Sequence, residues 1–175
     1  MKIKIIYGSD TGTTEDVVNT FLIPLLNTYE VNIDLKEVLD ITNDDWEGYD
    51  LYILGIPTWY DGELQSDWED YFDDFKKINF LDKKVAIFGC GDQVGYDEWF
   101  CDGVGILAKV VINNGGSIIG YTIKDESYEF DTNPKILKDE NTFYGLALDE
   151  DNQSELTQER IQKWIEQLIK NIKNG

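Results

Sequence analysis

The chain predicts a doubly wound α/β fold: a five-stranded parallel sheet whose last strand is split by an insertion. Three observations carry this. Short apolar runs of strand length alternate with segments of helical period along the sequence. The third and fourth runs, Leu51 to Ile56 and Val85 to Phe88, are almost continuously apolar, as strands covered on both faces are. A hydroxyl-rich turn, Ser9-Asp10-Thr11-Gly12-Thr13-Thr14, joins the first run to the first helical stripe, so an anion-binding turn stands at a strand-to-helix junction.

Ile3 to Tyr7 supplies the first strand. Val17, Val18, Phe21, Leu22, Leu25 and Leu26 then form one helical stripe, inside which Pro24 should kink or shorten the helix. Val31 to Leu35 is the second strand and Leu51 to Ile56 the third. Ser66, with Glu69 following at the right spacing, predicts a capping box for a helix that carries Trp68, Tyr71, Phe72 and Phe75 on one face. Val85 to Phe88 is the fourth strand, and Val104, Leu107, Ala108 and Val111 mark the helix after it. The fifth strand is read in two pieces, Ser117 to Tyr121 and Tyr144 to Leu148, separated by a polar insertion at about 124–143 that contains Asn133-Pro134. Ile161, Trp164, Ile165, Leu168, Ile169 and Ile172 give the terminal helix.

At 175 residues the chain is read as one domain, 1–175. The net charge of −20, from 35 acidic against 15 basic residues, argues against nucleic acid as a partner, because neutralising phosphates needs a basic face. With no histidine in the chain, Ser-His-Asp and Cys-His nucleophiles and histidine-held zinc or haem are excluded. Cys90 and Cys101 form no Cys-x-x-Cys pair and are too few for an ordinary iron-sulfur cluster, so they are read as small buried residues in a reducing compartment. The N-terminus has a strand pattern and no apolar stretch reaches membrane-spanning length; the expected location is the cytoplasm, without membrane insertion.

The chemistry gathers on three loops expected at the carboxyl ends of the strands, where ligands of open α/β sheets bind. In the first, the free amides of a helix N-terminus and the hydroxyls of Ser9, Thr11, Thr13 and Thr14 can hold phosphate oxygens, and Gly12 lets the backbone come close. No lysine or arginine lies in the turn and the Gly-x-x-x-x-Gly-Lys-Ser/Thr pattern is absent, so it suits a monophosphate and not a transferable triphosphate. The second loop is Pro57-Thr58-Trp59-Tyr60-Asp61-Gly62 and the third Gly89-Cys90-Gly91-Asp92-Gln93-Val94-Gly95-Tyr96. Two aromatic loops facing a phosphate loop imply a planar ligand stacked between rings.

These loops, in this order, together with Gly145-Leu146-Ala147-Leu148-Asp149-Glu150-Asp151-Asn152-Gln153, resemble the long-chain flavodoxins over essentially the whole chain. The resemblance implies a flavodoxin-like fold and one non-covalently bound FMN. It implies that Ser9, Asp10, Thr11, Gly12, Thr13 and Thr14 bind the ribityl phosphate. Trp59 would cover the inner face of the ring and Tyr96 its outer face, with Pro57, Thr58, Tyr60, Asp61, Gly62, Cys90, Gly91 and Asp92 along its edge. Trp99, Phe100, Cys101, Asp102 and Asp151 would lie at the periphery; Asp151 is chosen over Asp149, which shares its turn. The resemblance further implies that the peptide after Tyr60 turns over on one-electron reduction, a move that favours positive φ at Tyr60 and that a tyrosine should resist by roughly 1 kcal/mol.

By the same resemblance the protein is a monomeric low-potential one-electron carrier, not an enzyme. It would substitute for ferredoxin and dock on basic patches of ferredoxin–NADP reductase, photosystem I or other ferredoxin-dependent redox proteins. The enzymatic alternative is a flavodoxin-like NAD(P)H:quinone reductase, which needs the ring face that Tyr96 would cover. A phospho-accepting receiver domain needs an aspartate at the end of the third strand, where Gly55-Ile56-Pro57 stands. A calcium loop starting at Asp149 fails because Ser154 and Arg160 occupy the positions of the turn glycine and the bidentate glutamate.

Overall fold

The computed structural model describes residues 1–174. Its central sheet runs β2 (Asn32–Glu37), β1 (Lys2–Tyr7), β3 (Leu51–Trp59), β5 (Lys84–Cys90), β10 (Leu146–Leu148), all parallel. Counting only these strands the order is 2-1-3-4-5, the doubly wound order for which flavodoxins are themselves a standard example. The chain leaves β1 outward to β2 and returns to β3 on the other side, which places the switch point between β1 and β3.

The alternation of side chains along β1 sorts the core into two layers. Ile3, Ile5 and Tyr7 face the helical run of residues 13–26 and the long α5 (Thr157–Lys173). Ile6 faces α3 (Ser66–Phe75), α4 (Asp102–Asn113) and the insertion. Lys4 shares this second face and is fully buried, its ammonium held 2.7 Å from Asp34 and 2.6 Å from Asp45. Asp45 also accepts from Lys36 and from the backbone N–H of Thr42, so the buried charge is met by a connected network.

The fifth strand is split as the sequence predicts. β6 (Ser117–Ile118) pairs with Lys84–Val85 at one end of β5, and β10 pairs with Phe88–Cys90 at the other. Between them the insertion forms its own antiparallel sheet, β7 (Thr122–Ile123), β9 (Thr142–Phe143) and β8 (Leu137–Asp139), in that spatial order. Its polar composition conceals a core contribution: Tyr128, Phe130, Ile136 and Phe143 are buried against α4 and Phe100. Gly120, just after β6, has φ 79°, and a Cβ there would fall 2.6 Å from the indole nitrogen of Trp164, which donates to the Gly120 carbonyl at 2.8 Å.

Three local readings are corrected. The first helix is not cut short by Pro24: α1 (Thr13–Val17) passes through a π-type turn (Val18–Leu22) into α2 (Ile23–Leu26). The Ile23 N–H reaches back to Val18 O, and this wider turn brings Pro24, which has no N–H to place, to the start of α2. Ser66 is not a cap. The N-cap of α3 is Gln65, whose side chain accepts from the Trp68 N–H, and Ser66 Oγ turns instead to Asp10. Finally, β3 does not stop at Ile56. It continues to Trp59 because β4 (Glu63–Leu64) folds back on Thr58 and Trp59 as an antiparallel hairpin.

Candidate functional site

At the carboxyl ends of β1, β3 and β5, beside the switch point, the fold opens a cleft of about 800 Å³ including its mouth. Its walls are Thr11 and Thr13 from the turn after β1, Pro57, Thr58, Trp59 and Tyr60 from the hairpin, and Cys90, Gly91, Asp92, Tyr96, Trp99, Phe100 and Cys101 after β5. Glu150 and Asp151 close the remaining side. The three loops singled out in the sequence therefore meet in one place, and their hydroxyls and aromatic rings line the same cleft.

The turn after β1 is shaped by its own hydrogen bonds. Gly12 takes φ 91°, and the Ser9 Oγ accepts from the Gly12 N–H at 3.1 Å and from the Glu15 N–H at 3.5 Å. Asp10 points away from the cleft: its Oδ1 accepts from Gln65 Nε2 at 2.8 Å and Ser66 Oγ at 2.7 Å. Burial opposes ionisation of Asp10, but these bonds outweigh it and hold its pKa below the ordinary value. Thr14 is fully buried and its Oγ1 has no hydrogen-bond partner among the described residues; the same holds for the indole nitrogen of Trp59.

In the hairpin, Tyr60 adopts φ 40° and Gly62 φ 83°, so the left-handed turn falls on a tyrosine as well as on the glycine. Tyr60 is 62% exposed and its ring lies 5.9 Å from that of Trp59. Asp61 stands at the exposed tip. Gly62 is required: a Cβ would fall 2.7 Å from Asp102 Oδ2. Thr58 Oγ1 accepts from the Gly103 N–H at 3.0 Å and ties the hairpin to α4.

Both cysteines are buried and free. Burial pushes the Cys90 thiol up to about 12 despite the nearby Thr14 hydroxyl, and pushes Cys101 up as well, so both stay protonated at neutral pH. Asp102 does not reach the cleft. It is buried with its carboxylate accepting from the Lys135 N–H at 2.5 Å and paired with the Lys135 ammonium at 3.2 Å. Of the two aspartates in one turn, Asp149 is buried and accepts from the Gln93 and Asn152 N–H groups, whereas Asp151 lines the cleft. Glu150 joins the wall although nothing in its sequence context marks it.

The sequence profile of the flavodoxin family matches residues 5–164. The chain belongs to the flavodoxin family. That makes it an electron-transfer flavoprotein and not a catalyst of substrate turnover. It is 42% identical to flavodoxin 1 of Escherichia coli (strain K12), covering 96% of this chain and 93% of that one. Identity to the flavodoxin of Haemophilus influenzae is 41%, covering 95% and 92%. In three dimensions it is similar to a Fusobacterium nucleatum flavodoxin bound to flavin mononucleotide, with a TM-score of 0.88 and 30% identity over 97% of this chain and 98% of that one. The family implies redox partners of the ferredoxin-dependent kind. Among the described residues no helix is long and apolar enough to cross a membrane.

Proposed function

We propose that the cleft holds one FMN without a covalent bond, and that this flavodoxin carries single electrons in place of ferredoxin. The carrying observation is the union in one cleft of a hydroxyl-bearing helix N-terminus with Trp59 and Tyr96. Two orphaned buried atoms, Thr14 Oγ1 and Trp59 Nε1, support the fit, since buried polar groups are costly until something completes them and a phosphorylated ring compound offers acceptors for both.

When bound, FMN supplies the one-electron chemistry. Thr11, Thr13 and Thr14, with the open amides of α1, bind the phosphate; Ser9 and Gly12 shape the turn, and Asp10 braces it from behind. Trp59 and Tyr96 orient the ring and exclude water from its faces. Pro57, Thr58, Tyr60 to Gly62 and Cys90 to Asp92 frame its edge, and Trp99, Phe100, Cys101 and Asp151 its periphery. Asp102 acts through the frame, by holding the insertion.

The acidic surroundings tune the site modestly. A carboxylate ~12 Å away disfavours an added negative charge by about 1.4 kcal/mol at an effective dielectric of 20, cut to ~0.3 kcal/mol by screening. A strongly reducing couple therefore also needs the apolar lining. The partners are read as basic patches on ferredoxin–NADP reductase, photosystem I or other ferredoxin-dependent proteins, met by this chain as a monomeric carrier in the cytoplasm. The test compares FMN with riboflavin: Thr11→Val should weaken FMN about tenfold and leave riboflavin nearly unchanged, as measured by quenching of flavin fluorescence. Equal losses for the two ligands would remove the phosphate assignment of the 9–14 turn.

A further inference from the structure

Tyr96 is 42% exposed, and a ring that is to press on a flat ligand needs a support. The loop secures its own first half. Asp92 Oδ1 accepts from the Val94 N–H at 2.9 Å and the Gly95 N–H at 2.8 Å, and the Tyr96 N–H donates to Asp92 O at 3.1 Å. The remaining support comes from the insertion. The Glu129 N–H donates to Gln93 Oε1 at 2.8 Å, and Thr132 Oγ1 donates to the Asp97 carbonyl at 2.8 Å. One short segment therefore grips the loop on both sides of Tyr96.

Between these two bonds Phe130 packs edge-on to Phe100, ring centres 5.3 Å apart, and Phe100 lines the cleft. The gripping segment is itself fixed. Tyr128 donates to Ala147 O at 2.7 Å beneath the Arg160 guanidinium, and Gln153 Nε2 donates to Ser127 O at 2.6 Å. Gln93 is only 4% exposed, and its carbonyl oxygen is committed to this contact.

We infer that Gln93 and Thr132 are positioning residues, through which the insertion braces the Tyr96 loop and sets how firmly the flavin ring is held. The inference rests on the reading of the cleft as an FMN site. The brace acts on the ring side, whereas the hydroxyl turn acts on the phosphate side. Its loss must therefore fall equally on ligands with and without a phosphate.

Thr132→Val keeps the side-chain shape and removes the donor, Thr132→Ser keeps the donor, and Gln93→Met removes the other anchor. FMN and riboflavin are titrated into each chain while the residual fluorescence of the bound flavin is followed, with far-ultraviolet circular dichroism confirming the fold. Thr132→Val and Gln93→Met should each weaken both flavins by the same factor, about 3- to 10-fold, and raise the residual fluorescence; Thr132→Ser should bind within about twofold of the unsubstituted chain. Unchanged affinities in both Thr132→Val and Gln93→Met, a loss confined to FMN, or a serine variant as weak as the valine variant would each overturn the brace. Failure of the unsubstituted chain to bind FMN would instead overturn the reading of the cleft.

Discussion

Gln65 Nε2 donates to Asp10 Oδ1 across 2.8 Å, fastening the turn after β1 to the first turn of α3. Gln65 is fully buried and also caps α3 by accepting from the Trp68 N–H at 3.2 Å. One side chain thus joins two elements that the sequence separates by more than fifty residues. Gln65→Leu leaves the Trp68 N–H without its side-chain acceptor and removes one of the two side-chain bonds to Asp10 Oδ1, the other being that from Ser66. It should lower the stability of the FMN-free protein by roughly 1–3 kcal/mol, read from urea denaturation. A loss under about 0.5 kcal/mol would mean that Ser66 alone holds the turn.

The Lys4 network gives the fold a defined pH response. Hydrogen bonding to Lys4 holds Asp34 below the ordinary carboxylate pKa; burial opposes ionisation of Asp45, but Lys36 and Lys4 outweigh it and hold Asp45 well below that value. The stability these two bring is present above the unfolded-state pKa, near 3.8, and is lost as the pH falls through their lower folded values. Lys4 has the opposite sign: burial would lower its pKa, but its carboxylate partners raise it, so its contribution is lost only as the pH climbs above the ordinary lysine range. Asp45→Asn should cost roughly 3 kcal/mol at neutral pH, and the gap to the unsubstituted protein should narrow below about pH 4. A gap that stays constant on acidification would show that the charge of Asp45 is not what stabilises Lys4.

Much of this was legible in the chain because its signals are local. The apolar runs marked the parallel strands, and the 9–14 turn, the Trp59 hairpin and the Tyr96 loop carried their chemistry in contiguous residues. What escaped depends on contacts between distant segments. Nothing beside Lys4 in its strand reveals that Asp34 and Asp45 will meet it, so the buried charge network has no local signal. Ser66 and Glu69 satisfy the spacing of a capping box, but the pull of Asp10 on Ser66 moves the cap to Gln65. The insertion looked like polar loop because Tyr128, Phe130 and Phe143 follow neither a helical nor a strand period; their burial comes from α4 and Phe100.

Electrostatic docking predicts a salt dependence. From Glu37 to Phe75 there are 13 acidic residues and no basic one. Asp45, Glu47, Asp73 and Asp74 are paired with lysines from elsewhere in the chain, whereas Asp61, Glu63 and Asp67 near the cleft have no lysine or arginine within salt-bridge distance among the described residues. The second-order rate of electron exchange with ferredoxin–NADP reductase should therefore fall as salt rises between about 0.05 and 0.5 M, and Asp61→Lys or Glu63→Lys should flatten the slope. A rate indifferent to salt would exclude charge steering by this surface.

The hairpin at Tyr60 changes an expectation. The resemblance to flavodoxins implied that a tyrosine would resist positive φ only when the cofactor is reduced. Tyr60 has φ 40° in this structure, so the tyrosine bears the cost of a left-handed angle, on the order of 1 kcal/mol, before any change at the hairpin; where that angle is kept on reduction, the cost cancels from the potential. Glycine takes this angle without strain but has more freedom to lose on folding, which offsets part of the gain. Tyr60→Gly should therefore raise the stability of the FMN-free protein by roughly 0.5 kcal/mol and move the first one-electron potential by less than about 20 mV. Urea denaturation and a redox titration of the FMN-loaded variant check the two halves separately. A potential shifted upward by ~40 mV or more, without a stability gain, would restore the view that Tyr60 changes conformation on reduction.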